Sequence, residues 1–222
     1  MNAKKYDSLI FDMDGTLWDA IDSYAEVWNR TNAEFGITRQ VARKDLLDYM
    51  GQTIDVIFSG LYADTHGIDT DSYLSRLDHW ETTLMPELGG RPYPGVIEGL
   101  RALSKDYKLF LVSNCGSEGL RNMMRFIGIT DLITDTLTYG ETGQGKDRNI
   151  ATIIRRHDLR SPLYIGDTQG DSNAAHAAGA DMAFARWGFG SCIDAELQFD
   201  SFPQLTQTLL NNARDAESHT TL

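Results

Sequence analysis

Short apolar runs alternate with helix-spaced patterns along much of the chain, and three of those runs stop abruptly on small polar residues. Ser8-Leu9-Ile10-Phe11 ends on Asp12, Leu109-Phe110-Leu111-Val112 on Ser113-Asn114, and Leu163-Tyr164-Ile165 on Gly166-Asp167. Continuous apolar runs of this length predict strands buried on both faces. Met182-Ala183-Phe184-Ala185 predicts a fourth strand, and residues 132–139 a weaker one. Between them, Val96, Leu100 and Leu103 recur at helical spacing within 95–105, and 120–127, 149–155 and the alanine-rich 172–178 repeat the pattern. Strands alternating with helices predict an α/β fold whose parallel sheet is covered on both faces. Ligands bind such sheets at the carboxyl ends of the strands, where all three polar endings fall. Asp, Ser and Asn also start turns and cap helices, so one such ending carries little; three together point to a site.

Residues 18–90 break the alternation. The spacing predicts helices over 18–35, with Ile21, Ala25 and Trp28 on one face, and over 43–50, 53–62 and 71–84, with Gly36, Gly51 and Gly67 between them. No strand of the main sheet is expected here. Arg91-Pro92-Tyr93-Pro94-Gly95 is stiff and punctuated, a return hinge. The expected organisation is therefore a core of residues 1–17 and 91–210 with an all-helical insertion over 18–90. Residues 211–222 are polar and lack an apolar stripe, which predicts a flexible tail.

Composition changes this picture in one respect. The 222 residues, 41% hydrophobic, readily bury a core. The formal charge of −12, however, repels nucleic acid and anionic lipid, so neither is an expected partner. It would equally repel a phosphorylated substrate unless a local cation reverses the sign. Cys115 and Cys192 lack CxxC spacing and fit reduced thiols. No apolar run suits a signal-peptide core or a membrane span, so a cytoplasmic protein is expected, as monomer or small homo-oligomer.

Asp12 and Asp14 lie two apart, and Gly15 permits a turn that would let both carboxylates converge. Like charges brought together need a neutralising cation or a proton. Magnesium, which takes carboxylate, carbonyl and water ligands, suits the pair. Asp167 and Asp171, in Gly166-Asp167-Thr168-Gln169-Gly170-Asp171, can add a further ligand and a carboxylate that orients it. Lys146, in the loop-like Thr142-Gly143-Gln144-Gly145-Lys146, can reach a phosphate as a point charge. With Ser113 these residues compose a phosphoryl-transfer site.

Asp12-Met13-Asp14-Gly15-Thr16, Ser113-Asn114, Lys146 and Gly166 to Asp171 resemble, in order and separation, the four motifs of the haloacid dehalogenase superfamily. The resemblance implies a Rossmann-like three-layer core with the motif strands near its centre, a helical cap, and magnesium-dependent hydrolysis of a small phosphorylated metabolite. It implies that Asp12 forms an aspartyl-phosphate while Asp14 protonates the leaving alcohol and then activates water. It further implies that Asp12, Asp14 (through its backbone carbonyl) and Asp167 hold the metal, with Asp171 steadying metal-bound water or Lys146. Ser113, Asn114 and Lys146 would stabilise the phosphoryl oxygens, with Gly15 and Thr16 beside them.

Asp14 argues against dehalogenases, and the Asp147-Arg148 following Lys146 departs from the Lys-Pro of phosphoglycolate phosphatase-like members. A sugar-phosphate mutase of the β-phosphoglucomutase type is the enzyme alternative, and an inactive metal- or ligand-binding module the third reading. In the cap, Trp18, Asp19, Tyr49, Gly51, Gln52 and Thr53 are candidates to face the substrate, as is Tyr93 near the hinge. The five histidines lack metal-ligand spacing and are given no role.

Overall fold

The computed structural model describes residues 5–63 and 67–218, with side chains to residue 214. The chain opens with β1 (Ser8–Phe11) and β2 (Trp18–Asp19), then α1 (Ile21–Glu34), α2 (Arg43–Leu46), a 3-10 turn over Leu47–Tyr49, α3 (Ile54–Tyr62) and α4 (Thr70–Leu88). It returns through β3 (Arg91–Pro92), α5 (Val96–Leu103), β4 (Lys108–Ser113), α6 (Gly119–Ile127), β5 (Asp135–Thr138) and α7 (Tyr139–Thr142). The remainder is α8 (Lys146–Arg156), β6 (Pro162–Gly166), α9 (Gln169–Ala178), β7 (Asp181–Ala185), β8 (Leu197–Phe199) and α10 (Phe202–Ser218).

Six strands form one sheet in the order β5-β4-β1-β6-β7-β8, every neighbouring pair parallel. The three runs that end on polar residues are its adjacent central strands. All four residues of β1 are buried, and alternate side chains serve opposite faces. Leu9 and Phe11 join one apolar cluster with Leu100 of α5 and Leu205 of α10. Ile10 joins a second with Ile150 of α8 and Ala175 of α9. Burial on both faces is why the run carries no polar alternation, and it yields the expected three-layer α/β core.

The insertion between β1 and β3 is helical apart from one feature. Trp18–Asp19, expected to open a helix, instead pairs antiparallel with Arg91–Pro92, so a two-residue ribbon joins the insertion's entry to its exit. Within the insertion Trp28, Phe58, Tyr62 and Tyr73 pack with ring centroids 5.0 to 6.0 Å apart. Asn32 sits beneath them, accepting from the hydroxyls of Tyr62 at 2.6 Å and Tyr73 at 2.7 Å.

Two further expectations are corrected. Residues 211–218, read as tail, continue α10, and Ala213 is buried with Leu209 in the core; that stripe begins upstream of residue 211 and was invisible within the short segment. Residues 219–222 lie outside the described residues. Lys146, placed on a loop, is the first residue of α8 and only 6% exposed. Among the described residues, no helix is long and apolar enough to cross a membrane.

Candidate active site

The register places Phe11 of β1 opposite Leu111 of β4 and Ile165 of β6, so the chain leaves three neighbouring strands at the same edge. Asp12, Ser113 and Asp167 follow there. Past Asp12 the backbone closes a tight turn in which Leu17 N–H donates to the Met13 carbonyl at 2.8 Å and Gly15 N–H to that of Trp18 at 3.0 Å. Gly15 has φ +77°, and a Cβ there would fall on the Asp167 carboxylate, so only glycine allows the two loops to meet.

Asp12 is 1% exposed, and neither of its side-chain oxygens has a well-aligned hydrogen-bond partner. Lys146 Nζ lies 3.0 Å from its Oδ2, close enough to pair electrostatically though outside hydrogen-bonding alignment. The ammonium donates instead to Asp171 Oδ1 at 2.6 Å. The other oxygen of Asp171 accepts from the backbone N–H groups of Asp167 and Thr168 and from the Thr168 hydroxyl, closing a capping box on α9. Both oxygens of Asp171 are thereby engaged. Asp167 accepts from Phe189 N–H at 2.7 Å and weakly from the Thr16 hydroxyl at 3.5 Å.

One oxygen from each of Asp12, Asp167 and Asp171 falls within 4.8 Å of the others. Three buried carboxylates against one ammonium leave surplus negative charge. Burial pushes the pKa of Asp12 up to about 6, with Asp171 adding and Lys146 opposing. Asp167 goes up to about 8, again chiefly by burial, then through Asp171 and Asp12. Burial works against the charge of Lys146, but Asp12 and Asp171 outweigh it and hold its pKa well above the ordinary lysine range. A hard divalent cation would relieve this surplus. The unbonded oxygens of Asp12 and the all-oxygen donor set fit one.

Asp14 points elsewhere. Trp18 Nε1 donates to its Oδ1 at 3.0 Å, and the Tyr24 hydroxyl reaches Oδ1 and Oδ2 at 3.1 and 3.3 Å. Burial, then the Asp12 charge, raises its pKa well above the carboxylate range, and the Tyr24 bond opposes them. Two carboxyls two residues apart therefore have separate partners, Lys146 for one and Trp18 with Tyr24 for the other, and both border a cavity beneath the insertion.

That cavity is lined by both aspartates, by Ser113 and Asn114 of the core, and by Gly51 and Gln52 of the insertion. Asn114 Nδ2 donates to the Gly51 carbonyl at 2.9 Å, a strap across the two parts of the chain. Thr53, by contrast, precedes α3 and does not reach the cavity, and neither does Tyr49 or Tyr93. Asp19 holds Arg43 through two hydrogen bonds, at 2.9 and 2.5 Å. Trp18 lies behind Asp14 and is spent on that carboxyl.

Sequence reasoning missed Tyr24, Trp28, Glu81 and Cys115, all of which line the cavity from α1, α4 or the loop after β4. It also missed the turn after β7. There Trp187 Nε1 donates to the Thr16 carbonyl at 3.1 Å, and Gly188 leaves no room for a Cβ against Asp167 and the Gly15 carbonyl. The alternating glycines of Gly188-Phe189-Gly190 were its visible trace.

A family model of haloacid dehalogenase-like hydrolases matches residues 9–185. The chain is 28% identical over 188 residues to a phosphoglycolate phosphatase of Aquifex aeolicus, covering 82% of this chain and 85% of the relative. It is 24% identical over 222 residues to a pyrophosphatase of Listeria innocua, covering 96% and 99%. A solved haloacid dehalogenase-like hydrolase from Streptococcus pneumoniae superposes with a TM-score of 0.79 at 19% identity over 92% of this chain and 98% of that one, a likeness of fold. The match across most of the core, together with carboxylates gathered at the ends of its central strands, makes the chain a member of the haloacid dehalogenase-like hydrolases and a phosphatase among them.

Proposed function

We propose that the protein hydrolyses a small phosphate monoester through an aspartyl-phosphate on Asp12, with magnesium as its metal. The observation that carries this reading is Asp12 itself: a buried carboxylate at the end of the central strand, with neither oxygen in a well-aligned hydrogen bond and an ammonium 3.0 Å away. Such a group is kept reactive by its surroundings, since buried carboxylates with only structural roles are hydrogen-bonded.

Asp12 Oδ attacks phosphorus, and the ester P–O bond breaks. Asp14, held protonated by burial, gives its proton to the departing alkoxide and is left ionised. It then takes a proton from a water, which attacks the aspartyl-phosphate and releases inorganic phosphate and Asp12. Lys146 spreads positive charge over the phosphoryl oxygens while Asp171 fixes it in place. The Ser113 hydroxyl and the Asn114 N–H would add donors on the β4 side. Asp12, Asp167 and the Asp14 carbonyl would hold the magnesium ion, with Asp171 serving Lys146. The ion supplies Lewis-acid neutralisation of phosphate charge.

With magnesium present, the purified protein should release free phosphate from para-nitrophenyl phosphate, and Asp12→Asn should abolish it. Metal-dependent turnover surviving in Asp12→Asn removes the nucleophile assignment. With a hexose phosphate supplied as substrate instead, an isomerised sugar phosphate in place of free phosphate would identify a mutase.

A further inference from the structure

The cavity beside Asp12 and Asp14 is strongly biased in what it can hold. Its charged lining residues among those described are Asp12, Asp14 and Glu81, all acidic, and it contains no lysine, arginine or histidine. Lys146 is spent on Asp12 and Asp171 at the phosphate end. Near the insertion's entry, Arg43 is gripped by Asp19, and Arg91 lies 3.8 Å from Asp22. The rest of the wall is largely apolar, with Val27, Trp28, Leu46, Ile57 and Leu77 contributed by the insertion.

Two acceptors face this apolar space without partners. No hydrogen bond or ion pair among the described residues engages the half-buried carboxylate of Glu81; burial, then the charge of nearby Asp78, raises its pKa to about 7. The Oδ1 of Asn114 is buried and unsatisfied, and its orientation is set by the Nδ2 bond to Gly51. A buried acceptor without a donor costs stability until one meets it. A leaving group bearing a carboxylate would meet the Glu81 carboxylate with no cation in the wall to compensate. A protonated amine on an apolar stem would satisfy Glu81 by a charge-assisted bond and leave its methylenes against the aliphatic wall.

Building on the phosphatase reading above, we propose that the substrate is the phosphate monoester of an amino alcohol, and that Glu81 recognises its ammonium group. Acidic phosphoesters such as phosphoglycolate, on which relatives of this chain are named to act, are disfavoured by the same wall.

The test compares kcat/KM for aminopropyl phosphate, n-butyl phosphate and phosphoglycolate under magnesium, with para-nitrophenyl phosphate as a reference for the chemistry. Aminopropyl phosphate should exceed both others by about tenfold, the worth of one charge-assisted contact. In Glu81→Gln the aminopropyl-to-butyl ratio should fall by about tenfold, and Glu81→Lys should turn the preference toward phosphoglycolate. Because each ratio is taken within one preparation, partial misfolding of a variant cancels. Wild-type protein that prefers phosphoglycolate, or a ratio unmoved in Glu81→Gln, overturns the amino-alcohol assignment while Asp12-dependent turnover of the aryl ester leaves the phosphatase reading standing. Failure to turn over any ester sinks both.

Discussion

Trp18 and Tyr24 decide the behaviour of Asp14. Both donate to its carboxyl and fix it at the edge of the cavity, where the proposed reaction needs an acid beside the leaving oxygen. General-acid help matters most when the leaving alkoxide is a poor one. Removing it should therefore slow alkyl esters far more than a nitrophenyl ester, whose phenolate leaves unaided. We expect Asp14→Asn to lower kcat/KM for n-butyl phosphate by about a hundredfold or more relative to para-nitrophenyl phosphate. Tyr24→Phe should lower the same ratio by about tenfold through misplacement of the acid. Equal losses on both esters in Asp14→Asn would remove the acid role. Lys146 is a second residue whose meaning changed with context. A lysine in a glycine-rich stretch reads as solvated, whereas at the start of α8 it is walled in by Asp12, Asp171 and the Tyr164 ring.

At the scale of elements, the insertion depends on a polar centre inside an aromatic cluster. Asn32 takes the hydroxyls of Tyr62 and Tyr73 on one oxygen and gives its amide to the Arg39 carbonyl at 2.9 Å, tying α1 to α3, α4 and the α1–α2 connection. Asn32→Ala would leave the two hydroxyls only each other, at 3.2 Å, and the Arg39 carbonyl without its donor, at a cost of about 2 kcal/mol. A fall in Tm of about 4 to 8 °C is expected for a chain of this size. An unchanged Tm would mean the network contributes nothing. The ribbon of β2 and β3 shows a limit of pattern reading at this scale. Two residues have no periodicity of their own, and their pairing depends on Arg91 arriving beside Asp19 from the far side of the insertion. The same holds for β8, three residues long and placed only by β7.

Across the whole molecule, the surplus of buried carboxylates would couple stability to an ion bound at the proposed site. An ion that binds the folded site and leaves the unfolded chain alone stabilises it by mass action, about 2.7 kcal/mol at a hundred times its Kd. Saturating magnesium should thus raise Tm by about 5 °C or more, a chelator should reverse the rise, and Asp167→Asn should abolish the response. No shift in the wild-type protein would remove the metal site. The layering of the core was legible in the chain because local chemistry enforces it: an apolar run as continuous as Ser8 to Phe11 has nowhere to go but a doubly covered strand, and a polar residue ending it must sit at the edge. The same rule brought Asp12, Ser113 and Asp167 forward as candidates before any coordinate, and the order of the motifs named their family. The tertiary structure decided everything that rests on meetings between distant segments. It gave Asp14 two donors from the insertion, spent both oxygens of Asp171 on Lys146 and the α9 cap, and buried a lysine that composition would leave in water. It also set Glu81 of α4, remote in sequence, in the wall facing Asn114. Those contacts carry no period and no local signature, because each depends on how helices pack across the cavity.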